Sequence, residues 1–240
     1  MKELVLPAKL SQEITVFTRN LKEIYQENLI SVILYGSAAS GEFVASHSNI
    51  NILVILKSTE LALLKQASVT VKRFKNLAPL FLTKEYILSS TDVFPIEFLD
   101  MQENYNVLFG EDVLKSIHVD LKNLRFQCEQ ELKVKLLNLK QLYLGLNAHP
   151  VNLKVLLFKS FTSSLHILRN LLRLKGMQPP YQKKDLLKEL STHFKINIAC
   201  WEKILAAKSK KMRIGKAEIE ELFIAWVDNL ETIIQDVDAL

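Results

Sequence analysis

The sequence predicts an α+β protein in which a small mixed β-sheet with packed helices is followed by an all-α helical bundle. Two observations lead to this prediction. Before about residue 118, short runs rich in Val, Ile and Leu alternate with amphipathic segments and turns. After it, apolar residues recur every three or four positions over long segments, which is the spacing of one helix face. We therefore expect two domains, residues 1–118 and residues 119–240.

The N-terminal domain is predicted to begin with a helix and to continue with two strands. Ser11 can cap the helix, and the pattern after it extends to about Asn28. Residues 29–35 and 49–56 are apolar runs of strand length that are bounded by polar or glycine-containing turns. A short helix is expected between them, at residues 38–43.

The rest of this domain is predicted to contain two more helices and two more strands. Residues 60–78 have the pattern of a helix, and residues 79–82 that of a short strand. Residues 84–90 then form a short helix, and residues 96–101 form the fourth strand. The result is a small mixed sheet with helices packed on it.

The C-terminal part is predicted to be nearly all helix, with turns at Pro150 and at Pro179–Pro180. Its last helix has the most regular apolar seam, with alternating spacings of four and three residues. The residues of this seam are Ile219, Phe223, Trp226, Leu230, Ile233, Val237 and Leu240. We expect the seam to pack inside its own bundle, because the preceding helices need a partner. A homodimer seam is the alternative.

A polar pattern lies at the ends of the first two predicted strands. Gly36 and Ser37 follow the first strand, and glycine there lets the backbone approach a ligand closely. The amide groups that begin the next helix favour a phosphate. Asn49 and Asn51, the asparagine pair, point the same way because side chains alternate along a strand. Two aspartates at these positions would converge on one spot, as a site for Mg²⁺ requires.

This pattern resembles the nucleotidyltransferase superfamily, which includes the kanamycin nucleotidyltransferase type and the minimal nucleotidyltransferases of prokaryotes. Their signature is a hydrophobic residue, Gly, Gly or Ser, a short loop, and then Asp-hydrophobic-Asp/Glu-hydrophobic. Tyr35, Gly36, Ser37 and Ile52 match it in type and spacing, whereas the asparagine pair replaces the two aspartates. A helical bundle after such a domain also resembles the kanamycin nucleotidyltransferase arrangement, in which the bundle helps to bind the acceptor. Without the resemblance, the asparagines would be ordinary turn and strand residues.

The resemblance also implies a third carboxylate on a later strand, and Glu97 is its best match, with Asp100 as a competitor. In the family, the first two aspartates hold Mg²⁺ against the nucleotide phosphates, and the third carboxylate can activate the acceptor hydroxyl. An asparagine keeps a carbonyl oxygen but loses the charge that such metal chemistry needs. We therefore expect a catalytically silent or impaired domain. It would bind a nucleotide or a protein partner in a regulatory role.

The alternative is an active Mg²⁺-dependent nucleotidyltransferase. It would transfer a nucleoside monophosphate from a nucleoside triphosphate to a hydroxyl group of a small molecule or protein. Glu97 would then hold the metal, together with Glu42, Asp100 or a group of the substrate. Metal dependence separates the two hypotheses, because only the enzyme must bind Mg²⁺ with its nucleotide.

Composition and charge limit the other function classes. The apolar runs of this 240-residue chain are shorter than the roughly 20 residues that span a bilayer, and the first residues lack the apolar region of a signal peptide. We expect no membrane contact and a cytoplasmic location, with Cys128 and Cys200 as reduced core thiols.

Charge is unevenly distributed between the two predicted domains. Residues 1–118 carry 11 basic and 13 acidic side chains, and the remainder carries 20 basic and 13 acidic side chains. This basic half could assist binding of an anion, or its lysines simply solvate helix surfaces. The basic cluster at residues 208–213 has no interleaved aromatic residue, so we expect no nucleic-acid binding.

Overall fold

In a computed structural model, the chain is described for residues 6–40, 50–146, 149–180, 182–194, 196–209 and 211–240. The chain divides into two compact units, Met1–Asp120 and Leu121–Leu240. The first unit is a mixed sheet with packed helices and the second is helical, so the α+β class that the sequence predicts is confirmed.

The N-terminal unit is built around a four-stranded sheet in the order β3-β2-β1-β4. Strand β1 is antiparallel to both β2 and β4, whereas β3 runs parallel to β2. Within the described residues, the elements of this unit are α1 (Ala8–Tyr25), β1 (Leu29–Tyr35), α2 (Ser37–Ser40), β2 (Ile50–Leu56), α3 (Leu61–Gln66), α4 (Ser68–Arg73), β3 (Leu77–Thr83), α5 (Lys84–Ser89), α6 (Pro95–Glu103) and β4 (Tyr105–Gly110).

Both faces of this sheet are covered, because side chains of β1 and β2 alternate between two apolar clusters. Leu34 and Val54 belong to the cluster that contains Phe17 and Leu21 of α1. The neighbouring side chains on the strands, such as Ile33, belong to the second cluster. That cluster also contains Phe98 and Met101 of α6 together with Val113, Leu114 and Ile117. The two central strands are therefore buried on both faces, as their continuous apolar sequences require.

Two of the predicted elements are wrong. The helix predicted at residues 60–78 is two short helices, α3 and α4, and β3 already begins at Leu77. The strand predicted at residues 96–101 is part of helix α6. Pro95 suits the first turn of a helix, and Phe98 and Met101, three residues apart, are buried on one helix face. The first helix also begins earlier than predicted, at Ala8 after Pro7, so Ser11 is not its cap.

In its described residues the C-terminal unit consists of helices, of which three are long. Their bounds are α7 (Leu121–Gly145), α8 (Pro150–Leu174), α9 (Lys183–His193), α10 (Ala199–Lys208) and α11 (Lys216–Asp238). The apolar seam of α11 is buried within this unit from Ile219 to Val237, and only Leu240 at its end is exposed. The seam is therefore a core element of the bundle and not a dimer surface.

The two cysteines are buried and are not joined in a disulfide, with Cys128 on α7 and Cys200 on α10. Burial raises the pKa of the Cys200 thiol to about 11, so this thiol stays protonated near neutral pH. No helix in the described ranges combines the length and the apolarity needed to cross a membrane.

A hydrogen-bonded pair in the bundle gives a pH-dependent prediction. Nε2 of His166 lies 3.3 Å from a carboxylate oxygen of Glu131, and this contact lowers the pKa of the glutamate. A lowered acid pKa stabilises the fold above the pKa of the unfolded glutamate, and the contribution disappears as the pH falls through the folded value. We expect Glu131→Gln to lower the free energy of unfolding by about 0.5 kcal/mol near neutral pH, because the pair is partly exposed.

Urea unfolding at several pH values measures this difference, which should disappear in acid. Glu221→Gln on the exposed surface of α11 is the matched control and should show no pH-dependent difference. A Glu131→Gln difference that persists at low pH would contradict the assignment.

Candidate functional site

The Gly-Ser turn, Gly36 and Ser37, joins β1 to the short helix α2. Gly36 has a φ of 75°, a left-handed conformation that glycine adopts without strain. Its N–H donates to the carbonyl of Asn104 at 2.9 Å, and its carbonyl accepts from the N–H groups of Ala39 and Ser40. The turn is thus held on one side by the segment before β4 and on the other by α2.

Asn51 lies directly beside this turn. It is half-buried on β2, where it is paired in register with Tyr35 of β1 and Ala78 of β3. A methyl group placed on Gly36 would lie 3.3 Å from Nδ2 of Asn51, so the amide packs against the glycine. The structure therefore brings together Gly36, Ser37 and Asn51, which the sequence predicts to form one site. Burial raises the pKa of the Tyr35 hydroxyl beside them.

Asn49, the other member of the asparagine pair, lies outside the described residues, and so does Glu42. Their predicted roles therefore stay predictions. The predicted helix at residues 38–43 is described only in part, as α2.

The four strands carry no acidic residue within the bounds given above. The strands that follow β2 along the chain are β3, with the sequence Leu-Ala-Pro-Leu-Phe-Leu-Thr, and β4, with Tyr-Asn-Val-Leu-Phe-Gly. Neither strand can therefore supply the third carboxylate that the family resemblance implies. The residue of β3 that pairs with Asn51 is Ala78, whose methyl group can bind neither a metal ion nor a proton.

Glu97 does not lie on a strand, contrary to the prediction. It is exposed in the first turn of α6, and Asp100 is half-buried one turn further on. The prediction was wrong for a local reason. The alternating apolar residues Ile96 and Phe98 are typical of a strand, but both are buried as part of the helix that begins at Pro95. Glu97 therefore does not project from a strand of the sheet.

The residues described at this site do not fit a two-metal centre. Mg²⁺ in nucleotidyl transfer needs anionic oxygen ligands that hold it against the phosphates. Asn51 offers only a neutral carbonyl oxygen, and Ala78 and Tyr35 beside it add no carboxylate. Among the described residues, no group of three or more His, Cys, Asp or Glu side chains could hold a metal ion.

A cavity of about 530 Å³ lies next to the turn, and sequence reasoning missed it. It is lined by Ala39 of α2, the end of α6 and several residues of β4. Asn106 also lines it, and its Nδ2 is buried without a hydrogen-bond partner among the described residues. Tyr105 donates from its hydroxyl to Asp112 at 3.1 Å. Burial and this carboxylate raise the pKa of Tyr105.

The cavity was missed because its residues come from α6, part of which was predicted as a strand, and from β4, which was not predicted. The only available signal was the short run Asn104–Gly110, which is too polar at its start to predict a strand by itself.

Comparison with solved structures shows a similarity of fold. A crystal structure of spectinomycin adenyltransferase AAD(9) from Enterococcus faecialis, with ATP and spectinomycin, is similar to this chain with a TM-score of 0.60. The similarity covers 92% of this chain and 99% of that one, at 11% sequence identity. No family model and no curated protein matches the chain. At this identity the similarity shows the fold alone. The chain therefore has a nucleotidyltransferase-like α+β fold that is followed by a helical unit.

Proposed function

We propose that this chain is a catalytically silent protein with a nucleotidyltransferase-like fold that binds a nucleotide without a metal ion, in a regulatory role. The observation that carries the proposal is the site beside the Gly-Ser turn. Asn51 packs against Gly36 there, and neither neighbouring strand brings a carboxylate to it.

The chemistry of the side chains supports this proposal. Nucleotidyl transfer relies on metal ions that neutralise charge on the phosphates and position the reacting groups. A site with neutral amides repels a triphosphate less than a site with two aspartates does. An amide can also donate a hydrogen bond to a phosphate oxygen directly, which a carboxylate cannot do. Binding without metal and without turnover is therefore the function that these residues serve best.

The adenyltransferase of similar fold, whose structure contains ATP and spectinomycin, makes a nucleoside triphosphate the ligand to test first. A protein partner is the alternative to the nucleotide. We assign no role to Glu97 in this proposal, because it is exposed on α6.

Calorimetric titration with the four nucleoside triphosphates, in the presence of EDTA or of Mg²⁺, tests the proposal. We expect binding of at least one nucleotide whose affinity does not increase with Mg²⁺, and no turnover of that nucleotide. Asn51→Asp should weaken binding in EDTA about tenfold, because it adds a negative charge beside the phosphates.

Asn152→Asp, the same substitution at an exposed position of α8, is the matched control and should leave the affinity unchanged. Tight binding that requires Mg²⁺, together with transfer to an acceptor, would refute the proposal in favour of an active enzyme. Absence of binding under both conditions would refute nucleotide binding, and a protein partner would then be the remaining candidate ligand.

A further inference from the structure

Helix α7 is apolar on two opposite faces. One face is buried in the bundle through Leu124, Cys128, Leu132 and Leu139. The opposite face exposes large apolar side chains to solvent. These are Phe126, Val134, Leu137 and Leu144, with exposed fractions of 63%, 50%, 67% and 77%. A helix that is apolar on both faces normally buries both, so the outward face lacks a partner.

The exposed residues form one continuous stripe, which we call the outer stripe. It consists of Phe126, Gln130, Val134, Leu137, Gln141 and Leu144, and their spacings of three and four place them on one side of the helix. None of its six residues is charged. Contacts with the other long helices lie elsewhere on α7, through Lys135 to Ser163 of α8 and through Tyr143 to Glu220 of α11. The outer stripe therefore points away from the bundle and is open to a partner.

The order of residues in the outer stripe is symmetric about its centre, between residues 135 and 136. If two copies of α7 pack antiparallel about that point, Phe126 of one copy lies within one residue, about 1.5 Å along the helix axis, of Leu144 of the other. In the same register, Gln130 lies opposite Gln141 and Val134 lies opposite Leu137. Apolar residues thus meet apolar residues, and the two glutamines meet each other. We propose that the outer stripe is the interface of a two-fold dimer in which α7 pairs antiparallel with α7 of a second copy.

The symmetry favours a second copy over an unrelated partner. In an isologous two-fold interface the same stripe packs against itself in the opposite direction, so the pattern must read alike from both ends. Binding of a different protein requires no such symmetry. Paired glutamines in an otherwise apolar seam fix the register, because a shifted register would bury each amide against an apolar side chain.

The charges beside the outer stripe are compatible with this pairing. Lys133 contacts Glu129 and Asp238, and Lys140 lies 2.6 Å from Glu231. These two lysines are thus paired within their own bundle and would not bring an uncompensated positive charge to a second copy. The proposal does not depend on the nucleotide site.

Sedimentation equilibrium of the full chain tests the dimer. We expect twice the chain mass at high concentration and dissociation on dilution, with a Kd in the micromolar range typical of a modest interface. Leu137→Glu should yield a monomer at all concentrations, because it places two like charges near the centre of the seam. Leu61→Glu is the matched control, since Leu61 is an exposed leucine on α3, and it should leave the dimer intact. Circular dichroism verifies that both variants are folded.

Disulfide formation tests the register. The double variant Gln130→Cys with Gln141→Cys should form a covalent dimer under mild oxidation, because the two positions face each other across the two-fold axis. The single variant Gln130→Cys should not, because antiparallel packing separates its two copies by about 16 Å. A monomeric wild type, a dimer that survives Leu137→Glu, or ready crosslinking of the single variant would each overturn the proposal.

Discussion

Replacement of Gly110 by alanine is expected to lower the free energy of unfolding by about 3 kcal/mol or more. Gly110 ends β4 with a φ of 81°, and alanine in a left-handed conformation costs about 1–2 kcal/mol by itself. The added methyl group would also lie 1.9 Å from the carbonyl oxygen of Ile30. That oxygen belongs to the backbone, and Ser31 beside it donates from its hydroxyl to the carbonyls of Phe109 and Glu111. The two strands must therefore separate locally, which strains the β1–β4 pairing.

Denaturant unfolding followed by far-UV circular dichroism measures this effect. Gly36→Ala is the matched control in the same unit, because Gly36 has a similar φ of 75° but a methyl group there meets only the side chain of Asn51. We expect it to cost about 1 kcal/mol, the conformational penalty alone. Equal losses for the two variants would show that the clash with Ile30 contributes nothing.

The second large effect is expected for Trp226→Ala, which should destabilise the helical bundle by about 3–5 kcal/mol. Trp226 is fully buried on α11 and packs edge-on against Trp201 and Phe161, with ring centroids 5.2 and 5.5 Å apart. Its indole N–H donates to Oγ of Ser160 at 3.0 Å. The alanine would leave a cavity where helices α8, α10 and α11 meet and would remove a buried hydrogen bond.

Thermal and denaturant unfolding compare this variant with two others. Ile224→Ala, at an exposed position of the same helix, should cost no more than about 0.5 kcal/mol. Ser160→Ala should cost about 1–3 kcal/mol, because it leaves the buried N–H of Trp226 without its acceptor. A Trp226→Ala loss no larger than that of Ile224→Ala would show that the aromatic cluster does not stabilise the bundle.

The sequence predicted the elements whose pattern is both local and strong. Residues 29–35 are apolar, β-branched and bounded by polar residues, and the structure forms β1 over the same residues. Strand β2 and the seam of α11 are similar cases. In each case a single periodicity fits the segment, so its neighbours in sequence suffice to identify it.

The failures occurred where the local pattern fits two structures. Ile96 and Phe98 fit the alternation of a strand, whereas Phe98 and Met101 fit one face of a helix, and packing on the sheet together with Pro95 selects the helix. Strand β4 is short and partly polar, and its pairing partner β1 lies about seventy residues earlier, so no local signal reveals it.

The sequence by itself determined the α+β class, the Gly-Ser turn and the neutral asparagine at the beginning of the second strand, because these features depend on adjacent residues. Only the tertiary structure decided which side chains surround that asparagine. The register of β2 and β3 places Ala78 beside Asn51, and the helical form of α6 removes Glu97 from the sheet. Strand register and helix packing arise from contacts between residues far apart in the chain. Those contacts therefore decide whether a charged side chain lies in the site.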